Sequence, residues 1–173
     1  MNFSRRILAV SALGLAVSLT TAACASADGH GNANHAHHAL DASMIAQDKS
    51  EITAVLRSYE SYVNDSNHEG LGSIYTNDSI LIPEGFDMFV GNEAITGFYA
   101  FAFSALTLNL EFNIDPDNIV VAGDVAYATT DSTGTRLYKE TNEMVPEINR
   151  ELWVFNRVDG AWKIARYCFN KAG

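Results

Sequence analysis

Near the C-terminal end of the sequence, the acidic residue Glu151 lies among aromatic residues, and its carboxyl group is a candidate for acid–base chemistry. Glu151, Trp153 and Phe155 alternate along one predicted strand, and Tyr167 and Phe169 alternate along the next. Successive side chains of a strand point to opposite faces, so each set shares one face. A carboxyl group on an inward face is costly unless it is paired or protonated, which makes Glu151 a candidate functional residue.

These residues allow more than one interpretation. If the two faces line a cavity together with Tyr59 and Phe98, they form an aromatic pocket with a few polar groups, the usual composition of a small-molecule site. The aromatic rings would otherwise simply fill the core. Glu151 would otherwise lie at the surface in an ion pair with Arg150 or Arg136.

A second group of potentially reactive residues lies near the N-terminus. His30, His35, His37 and His38 are four of the five histidines in the sequence. Neutral imidazole is a common ligand of Cu, Ni and Zn, so this tract is a candidate metal site. Residues 28–42 show no hydrophobic periodicity, and the simpler interpretation of them is a flexible tether that holds no metal.

Residues 1–27 have the pattern of an export signal. Arg5 and Arg6 precede an apolar stretch at positions 7–19, and Ala25 and Ala27 are small residues at the places where a signal peptidase cuts. The apolar stretch is too short and too interrupted to predict a membrane span. We therefore expect a periplasmic or secreted protein.

The same segment permits a lipoprotein interpretation. Residues 21–24 resemble a bacterial lipobox, in which Cys24 would carry a lipid and anchor the chain to a membrane. Under either interpretation Cys24 is removed or modified, so Cys168 has no partner for a disulfide within the chain.

Composition and charge narrow the class of protein. The 173 residues are 47% hydrophobic, which predicts one compact domain, here assigned to residues 43–173. With 11 basic and 21 acidic residues the formal charge is −10. Such a chain repels phosphate backbones and anionic lipids, so we expect no nucleic-acid partner and no membrane contact other than a possible lipid on Cys24.

The elements that would position these residues follow from hydrophobic periodicity. An amphipathic helix starts near Ser43, a short helix follows Asn67, and a third helix follows Gly91. Period-two alternation then predicts strands, with a loop at residues 141–149 and a hairpin turn at Asp159-Gly160. Helices first and an antiparallel meander afterwards indicate an α+β fold.

Several segments of this sequence resemble the NTF2-like superfamily, which includes SnoaL-like cyclases, ketosteroid isomerases and DUF4440-type domains. The segments are "SIYTNDSILIP", "GNEAITGFYAFAF", "GDVAYAT" and "ELWVFNRVDGAWKIARYCFN", and the resemblance covers residues 43–170. It implies a cone in which three N-terminal helices pack on a curved antiparallel sheet. It also implies a pocket at the open end and, in many members, a homodimer formed through the outer sheet face.

The resemblance to ketosteroid isomerase is only partial at the level of functional residues. It implies that the oxyanion-binding tyrosine corresponds to Tyr59 and the protonated aspartate to Glu151. The catalytic base corresponds to Pro83, which has no proton acceptor on its side chain. Glu84 is adjacent but would need a bulge in the chain to turn inward.

Three functions follow as alternatives. The first is an exported domain that binds a small, largely apolar molecule in a pocket formed by Tyr59, Phe98, Glu151, Trp153, Tyr167 and Phe169. The second is an isomerase, cyclase or dehydratase in which Tyr59 and Glu151 are catalytic. The third is a dimeric interaction or scaffold domain. We expect no organic cofactor.

Overall fold

A computed structural model describes residues 30–172 of the chain, with side chains described from Asp41 onwards. The helices are α1 (His30–Asn64), α2 (His68–Ile74) and α3 (Asn92–Ala105), and a 3-10 turn covers Pro116–Asn118. The strands are β1 (Tyr75–Pro83), β2 (Phe89–Val90), β3 (Leu106–Asn113), β4 (Ile119–Ala122), β5 (Val125–Tyr138), β6 (Glu143–Val158) and β7 (Ala161–Lys171).

The strands form one curved, unclosed sheet in the order β2-β1-β7-β6-β5-β3, and β4 pairs with β5 beside β3. The helices cover one face of this sheet, which confirms the α+β cone. The sheet is mixed rather than wholly antiparallel, because β1 runs parallel to β7. These two strands are far apart in sequence, so no hairpin turn fixes their relative direction and local patterns gave no sign of it.

The expectation of a loop at residues 141–149 was wrong. Strand β5 continues to Tyr138 and β6 begins at Glu143, so only a tight turn joins them. Asn142 takes a positive φ of 55° in this turn, which asparagine tolerates better than most residues. Pro146 lies within β6, opposite Thr135. The predicted hairpin at Asp159-Gly160 is confirmed, with φ values of 51° and 81°.

Helix α1 packs one face against the sheet and is hydrogen-bonded to the β6–β7 hairpin. Ile52, Leu56 and Val63 are fully or almost fully buried along this face. Asp48 accepts hydrogen bonds from the Arg157 Nη2 (2.6 Å) and from Trp162 Nε1 (3.3 Å) on the β6–β7 hairpin. These contacts fix the rotation of α1 and therefore the direction in which Tyr59 points.

The end of α1 is joined to β3 by a reciprocal pair of hydrogen bonds. Asn64 accepts from the Leu110 N–H at 2.7 Å and donates to the Leu110 carbonyl at 2.8 Å. Asn67 then caps α2, as predicted, by accepting from the Gly70 N–H at 2.8 Å. Within residues 30–172, no helix is both long enough and apolar enough to cross a membrane.

Candidate functional site

A cavity of about 310 Å³ lies between α3, the C-terminal part of α1 and the concave side of the sheet. The residues that line it are Tyr59, Val63, Glu84, Phe86, Phe98, Tyr99, Phe101, Ala102, Phe103, Ala105, Leu106, Leu108, Leu110, Arg136, Glu147, Asn149, Tyr167, Phe169 and Lys171. Most of the wall is aromatic or aliphatic, and the charged residues lie together on β5, β6 and the ends of β1 and β7. The cavity is therefore apolar on one side and polar on the other.

The cavity wall includes phenylalanines that solvent reaches. Phe101 is 71% exposed and Phe86 is 60% exposed, although both contribute to the lining. Phe98 packs against Phe86 and Phe89, with ring centroids 5.7 and 4.6 Å away. Exposed aromatic rings beside a cavity give an apolar molecule a surface on which to bind as it leaves water.

Three tyrosine hydroxyls form a chain within the core beside the cavity. The Tyr59 and Tyr99 hydroxyl oxygens are 2.9 Å apart, and those of Tyr75 and Tyr99 are 3.2 Å apart. Three hydroxyl protons serve two hydrogen bonds, so one proton remains for an acceptor outside the three. Burial raises the pKa of Tyr99 to about 12 and raises the pKa values of Tyr59 and Tyr75 well above 10. The three phenols are therefore neutral donors at neutral pH.

Aromatic packing holds Tyr59 in place. Its ring meets those of Trp153 and Tyr167 edge-on, with centroid distances of 4.9 and 5.3 Å. Trp153 and Tyr167 stack on each other at 3.6 Å, with an angle of 6° between the rings. Because the edge of one ring is attracted to the face of another, this arrangement favours one orientation of the Tyr59 hydroxyl.

Glu151 faces inward, and two hydroxyl groups satisfy its carboxylate. Thr130 donates to Oε2 at 2.7 Å and Ser132 donates to Oε1 at 2.6 Å. The side chain is 4% exposed, which excludes the surface ion pair. Burial raises the pKa of Glu151, while the hydrogen bonds from Ser132 and Thr130 act to lower it.

The neighbours of Glu151 extend this network in both directions. Trp153 Nε1 donates to the Thr130 hydroxyl at 2.9 Å, and Asn149 Nδ2 donates to the Ser132 hydroxyl at 3.3 Å. Each hydroxyl thus accepts one hydrogen bond and gives its only proton to the carboxylate. This assignment also fixes the orientation of the Asn149 amide, since its NH₂ group must face Ser132.

A second buried carboxylate, Glu147, belongs to the cavity wall itself. It is 2% exposed, and its Oε1 pairs with Arg136 Nη2 at 2.6 Å. Its Oε2 has no hydrogen-bond donor, and Lys171 Nζ lies 3.6 Å from it. Asn149 Oδ1 and Arg136 Nε are likewise buried without a partner. Three unsatisfied polar atoms therefore belong to one wall, and such atoms are costly unless a ligand or water satisfies them.

The structure brings most of the predicted pocket residues to one place. Tyr59, Phe98, Tyr167 and Phe169 all line the cavity. Glu151 and Trp153 are not among the lining residues, because Thr130 and Ser132 cap the carboxylate and the Tyr167 ring covers the indole.

Sequence reasoning missed Glu147, Asn149 and Arg136. The signal was present, since the alternation that links Glu151 and Trp153 extends back through Asn149 to Glu147. The prediction of a loop at residues 141–149 hid this alternation. One face of this long strand carries Glu147 and Asn149, which line the polar side of the cavity, and also Glu151 with its hydrogen-bond network.

The chain turns immediately after β1, and this places Glu84 at the cavity. Pro83 is the last residue of β1 and is buried, whereas Glu84 belongs to the following turn and lines the cavity. The Glu84 carboxylate accepts a hydrogen bond from the Lys171 backbone N–H. Glu84 therefore holds the C-terminal end of β7 through this hydrogen bond, and it adds a negative charge to the polar side of the cavity.

The proposed metal ligands cannot be evaluated from the structure. His30, His35, His37 and His38 fall within α1, but their side chains lie outside the described residues. Among the side chains that are described, no group of three or more His, Cys, Asp or Glu residues is arranged to hold a metal ion.

The family to which the chain belongs is shown by comparison with models of known protein families. The model of the SnoaL-like domain family matches residues 44–167. The chain therefore belongs to the SnoaL-like domain family, and its structure is that of the NTF2-like superfamily. A comparison with curated proteins found no match.

Solved structures with the same fold come from several proteins. A ketosteroid isomerase-like protein from Erwinia carotovora atroseptica SCRI1043 is 25% identical, with a TM-score of 0.68 over 72% of this chain and 95% of its own. An NTF2-like superfamily protein from Salmonella enterica serovar Typhimurium LT2 is 18% identical, with a TM-score of 0.68 over 74% and 93%. A hexachlorocyclohexane dehydrochlorinase is 16% identical, with a TM-score of 0.66 over 74% and 87%.

Proposed function

We propose that this SnoaL-like domain binds a small, largely apolar molecule in the cavity beside Tyr59. The observation that carries the proposal is the cavity of about 310 Å³ with an apolar wall facing a polar one. Its size lies at the lower end of the range of roughly 300–1,000 Å³ that is typical of small-molecule sites. Burying the apolar surface of a ligand against these side chains supplies the binding energy, and the polar wall selects its orientation.

Filling the cavity tests this proposal directly. Leu108 lines the cavity from β3, so Leu108→Trp places a larger ring inside it. Thr107→Trp adds the same ring at the neighbouring position, which faces the other side of the sheet. We expect equilibrium dialysis with naphthalene-sized probes to show binding to the wild type and Thr107→Trp, and at least a ten-fold loss in Leu108→Trp. Equal binding by all three proteins would contradict the proposal.

A second candidate function is catalysis by proton transfer, as in an isomerase, cyclase or dehydratase. The observation that favours it is the Glu147 Oε2, a buried carboxylate oxygen with no hydrogen-bond donor, in a cavity that Tyr59 and Tyr99 also line. The carboxylate would accept a proton while a phenol stabilises the developing negative charge. A fold neighbour described as a dehydrochlorinase supports this class of reaction, although its similarity extends to the fold alone. We assign the base to Glu147 and not to Glu151, the residue that the sequence indicates, because both carboxylate oxygens of Glu151 already accept hydrogen bonds from hydroxyl groups.

A general probe of proton abstraction tests the catalytic candidate without knowledge of the substrate. Nitrobenzisoxazole loses its ring C–H proton to a base while its N–O bond breaks, and the product is a coloured cyanonitrophenolate. We expect the full chain to accelerate this reaction by about 10²-fold or more, and Glu147→Gln to abolish the acceleration. Glu143→Gln changes an exposed residue of the same strand and should keep the rate. A rate that survives Glu147→Gln would remove that residue from the mechanism.

We also propose that the protein is exported and forms a homodimer. Export is supported by the pattern of residues 1–27, which lie outside the described part of the chain. Cleavage after Ala27 to give a soluble protein and lipid attachment at Cys24 both fit that pattern. Dimerisation is supported by large apolar side chains on the outer face of the sheet. Tyr127, Ile148 and Leu152 are between 45% and 49% exposed on β5 and β6.

A further inference from the structure

The polar wall of the cavity contains more unused hydrogen-bond acceptors than donors. The wall is defined here as Arg136, Glu147 and Asn149, with Glu84 and Lys171 at its edge. Its buried atoms without partners are two acceptors, Glu147 Oε2 and Asn149 Oδ1, and one donor, Arg136 Nε. All of the charged residues that line the cavity belong to this set, and their two positive and two negative charges cancel.

The orientation of Asn149 is determined by the Glu151 network and not by the cavity. Ser132 gives its proton to Glu151, so it must receive the Asn149 Nδ2 proton. The Asn149 carbonyl oxygen is therefore left without a donor. The Ser132 hydroxyl, itself fixed by its 2.6 Å hydrogen bond to Glu151, holds the amide in this orientation, so the acceptor is preorganised.

Glu147 and Asn149 present their acceptors along the same face of β6. Alternate residues of a strand are separated by about 7 Å, which places the two side chains on adjacent parts of one wall. Arg136 fixes one oxygen of Glu147 and leaves the other without a hydrogen bond. The Lys171 Nζ, at 3.6 Å, lies beyond hydrogen-bonding distance of that oxygen.

Resting on the proposed function of this cavity, we infer that its ligand is a neutral, largely apolar molecule with a hydroxyl group that donates a hydrogen bond to Asn149 Oδ1 or Glu147 Oε2. A hydroxyl oxygen also accepts, so the same group satisfies Arg136 Nε where the ligand reaches it. A carboxylate ligand would bring a negatively charged oxygen towards two acceptors that have no proton to share. A hydrocarbon of the same shape would leave all three buried atoms unsatisfied, and an ether would leave both acceptors without a donor.

Three probes with one ring system and different polar groups test this inference. Naphthol has a hydroxyl group, methoxynaphthalene has the oxygen without the proton, and naphthoate has a negative charge. Equilibrium dialysis against the full chain gives the three dissociation constants. We expect naphthol to bind about ten-fold more tightly than methoxynaphthalene, as a buried hydrogen bond to such acceptors implies, and naphthoate to bind most weakly.

Variants of the polar wall connect this preference to the inferred residues. Glu147→Gln and Asn149→Leu should each reduce the ratio between naphthol and methoxynaphthalene, and together bring it near one. The matched controls Glu143→Gln and Asn109→Leu change exposed residues of β6 and β3 and should keep the ratio. The wild-type comparison needs no variant, so a variant that fails to fold leaves the inference testable.

The outcomes separate this inference from the proposal on which it rests. If naphthol and methoxynaphthalene bind equally well and Leu108→Trp blocks both, the cavity binds apolar molecules and the hydroxyl preference is wrong. Tightest binding of naphthoate would also overturn the preference. If none of the probes binds, or if Leu108→Trp has no effect on any of them, the proposed function fails and the inference fails with it.

Discussion

At the scale of single residues, the two buried glutamates of β6 differ in what surrounds them. Glu151 is held by Thr130 and Ser132, so both of its oxygens have hydrogen-bond partners. Glu147 has one oxygen in an ion pair and one without a hydrogen bond. Only Glu147 therefore has a carboxylate oxygen that still lacks a hydrogen-bond donor. Glu151 instead fixes the side chains behind the cavity wall.

The titration of Glu151 gives a prediction about stability. Burial raises its pKa in the folded protein above the ordinary value of 4.5. The folded state therefore binds this proton more tightly than the unfolded state. The resulting stabilisation is fully present below the unfolded pKa and is lost as the pH rises through the folded pKa. The wild type should thus lose stability relative to Glu151→Gln over that interval.

Urea unfolding of both proteins between about pH 4 and pH 7 measures this difference, because titrations that they share cancel. A gap that stays constant would show that the two hydroxyl donors balance burial, and a gap that moves in favour of the wild type as the pH rises would show that they outweigh it. A spectroscopic titration of the Glu151 carboxyl in the folded protein would then separate the two contributions.

At the scale of elements, Gly134 determines how closely β3 approaches β5. It lies opposite Leu110 on β3, and a Cβ atom at this position would stand 1.9 Å from the Asn109 carbonyl oxygen. No side chain could move to relieve this contact, because the obstacle is the backbone of β3. Glycine in a strand interior often marks such a close approach.

We predict that Gly134→Ala destabilises the protein by about 1–3 kcal/mol or more, since β3 must shift away. The matched control is Gly97→Ala in α3, where a Cβ atom would meet nothing within 4 Å. That change should stabilise the protein by about 0.5–1 kcal/mol, because alanine favours a helix more than glycine does. Urea unfolding measures both, and a neutral Gly134→Ala would show that β3 is not held at this distance.

Local patterns in the sequence predicted the elements better than they predicted the contacts. The periodicity that placed Tyr59 on a buried helix face and the Asp159-Gly160 turn depend on near neighbours, and both were confirmed. The parallel pairing of β1 with β7 and the unsatisfied oxygen of Glu147 depend on residues far apart in the chain. The prediction of a loop at residues 141–149 also concealed the first part of β6, and with it Glu147 and Asn149 of the polar wall.

At the scale of the whole molecule, the outer face of the sheet is the most apolar surface that the described residues leave uncovered on the strands. Met144, Ile148 and Leu152 point outward along β6 and are between 45% and 63% exposed. Tyr127 and Val125 continue the surface on β5, with 49% and 47% exposure. Exposed apolar side chains grouped on one face in this way are typical of a protein interface.

We predict that Leu152→Glu, at the centre of this surface, weakens self-association by at least about ten-fold, because it places a charge in a desolvated interface. Met44→Glu is the control, since Met44 is 64% exposed on α1, away from the sheet. Light scattering over a range of concentrations measures the mass of each protein. A wild type that is monomeric at every concentration would contradict the dimer, and a Leu152→Glu dimer would place the interface elsewhere.

The position of β7 within the sheet has a consequence for how the chain acquires its structure during synthesis. This strand separates β1 from β6, yet every other strand of the sheet leaves the ribosome before it does. Until it emerges, β1 and β2 cannot join the remaining strands, so folding is completed only late and through contacts distant in sequence. Truncation before Ala161 would divide the sheet into two parts with unpaired edges, which are prone to aggregate.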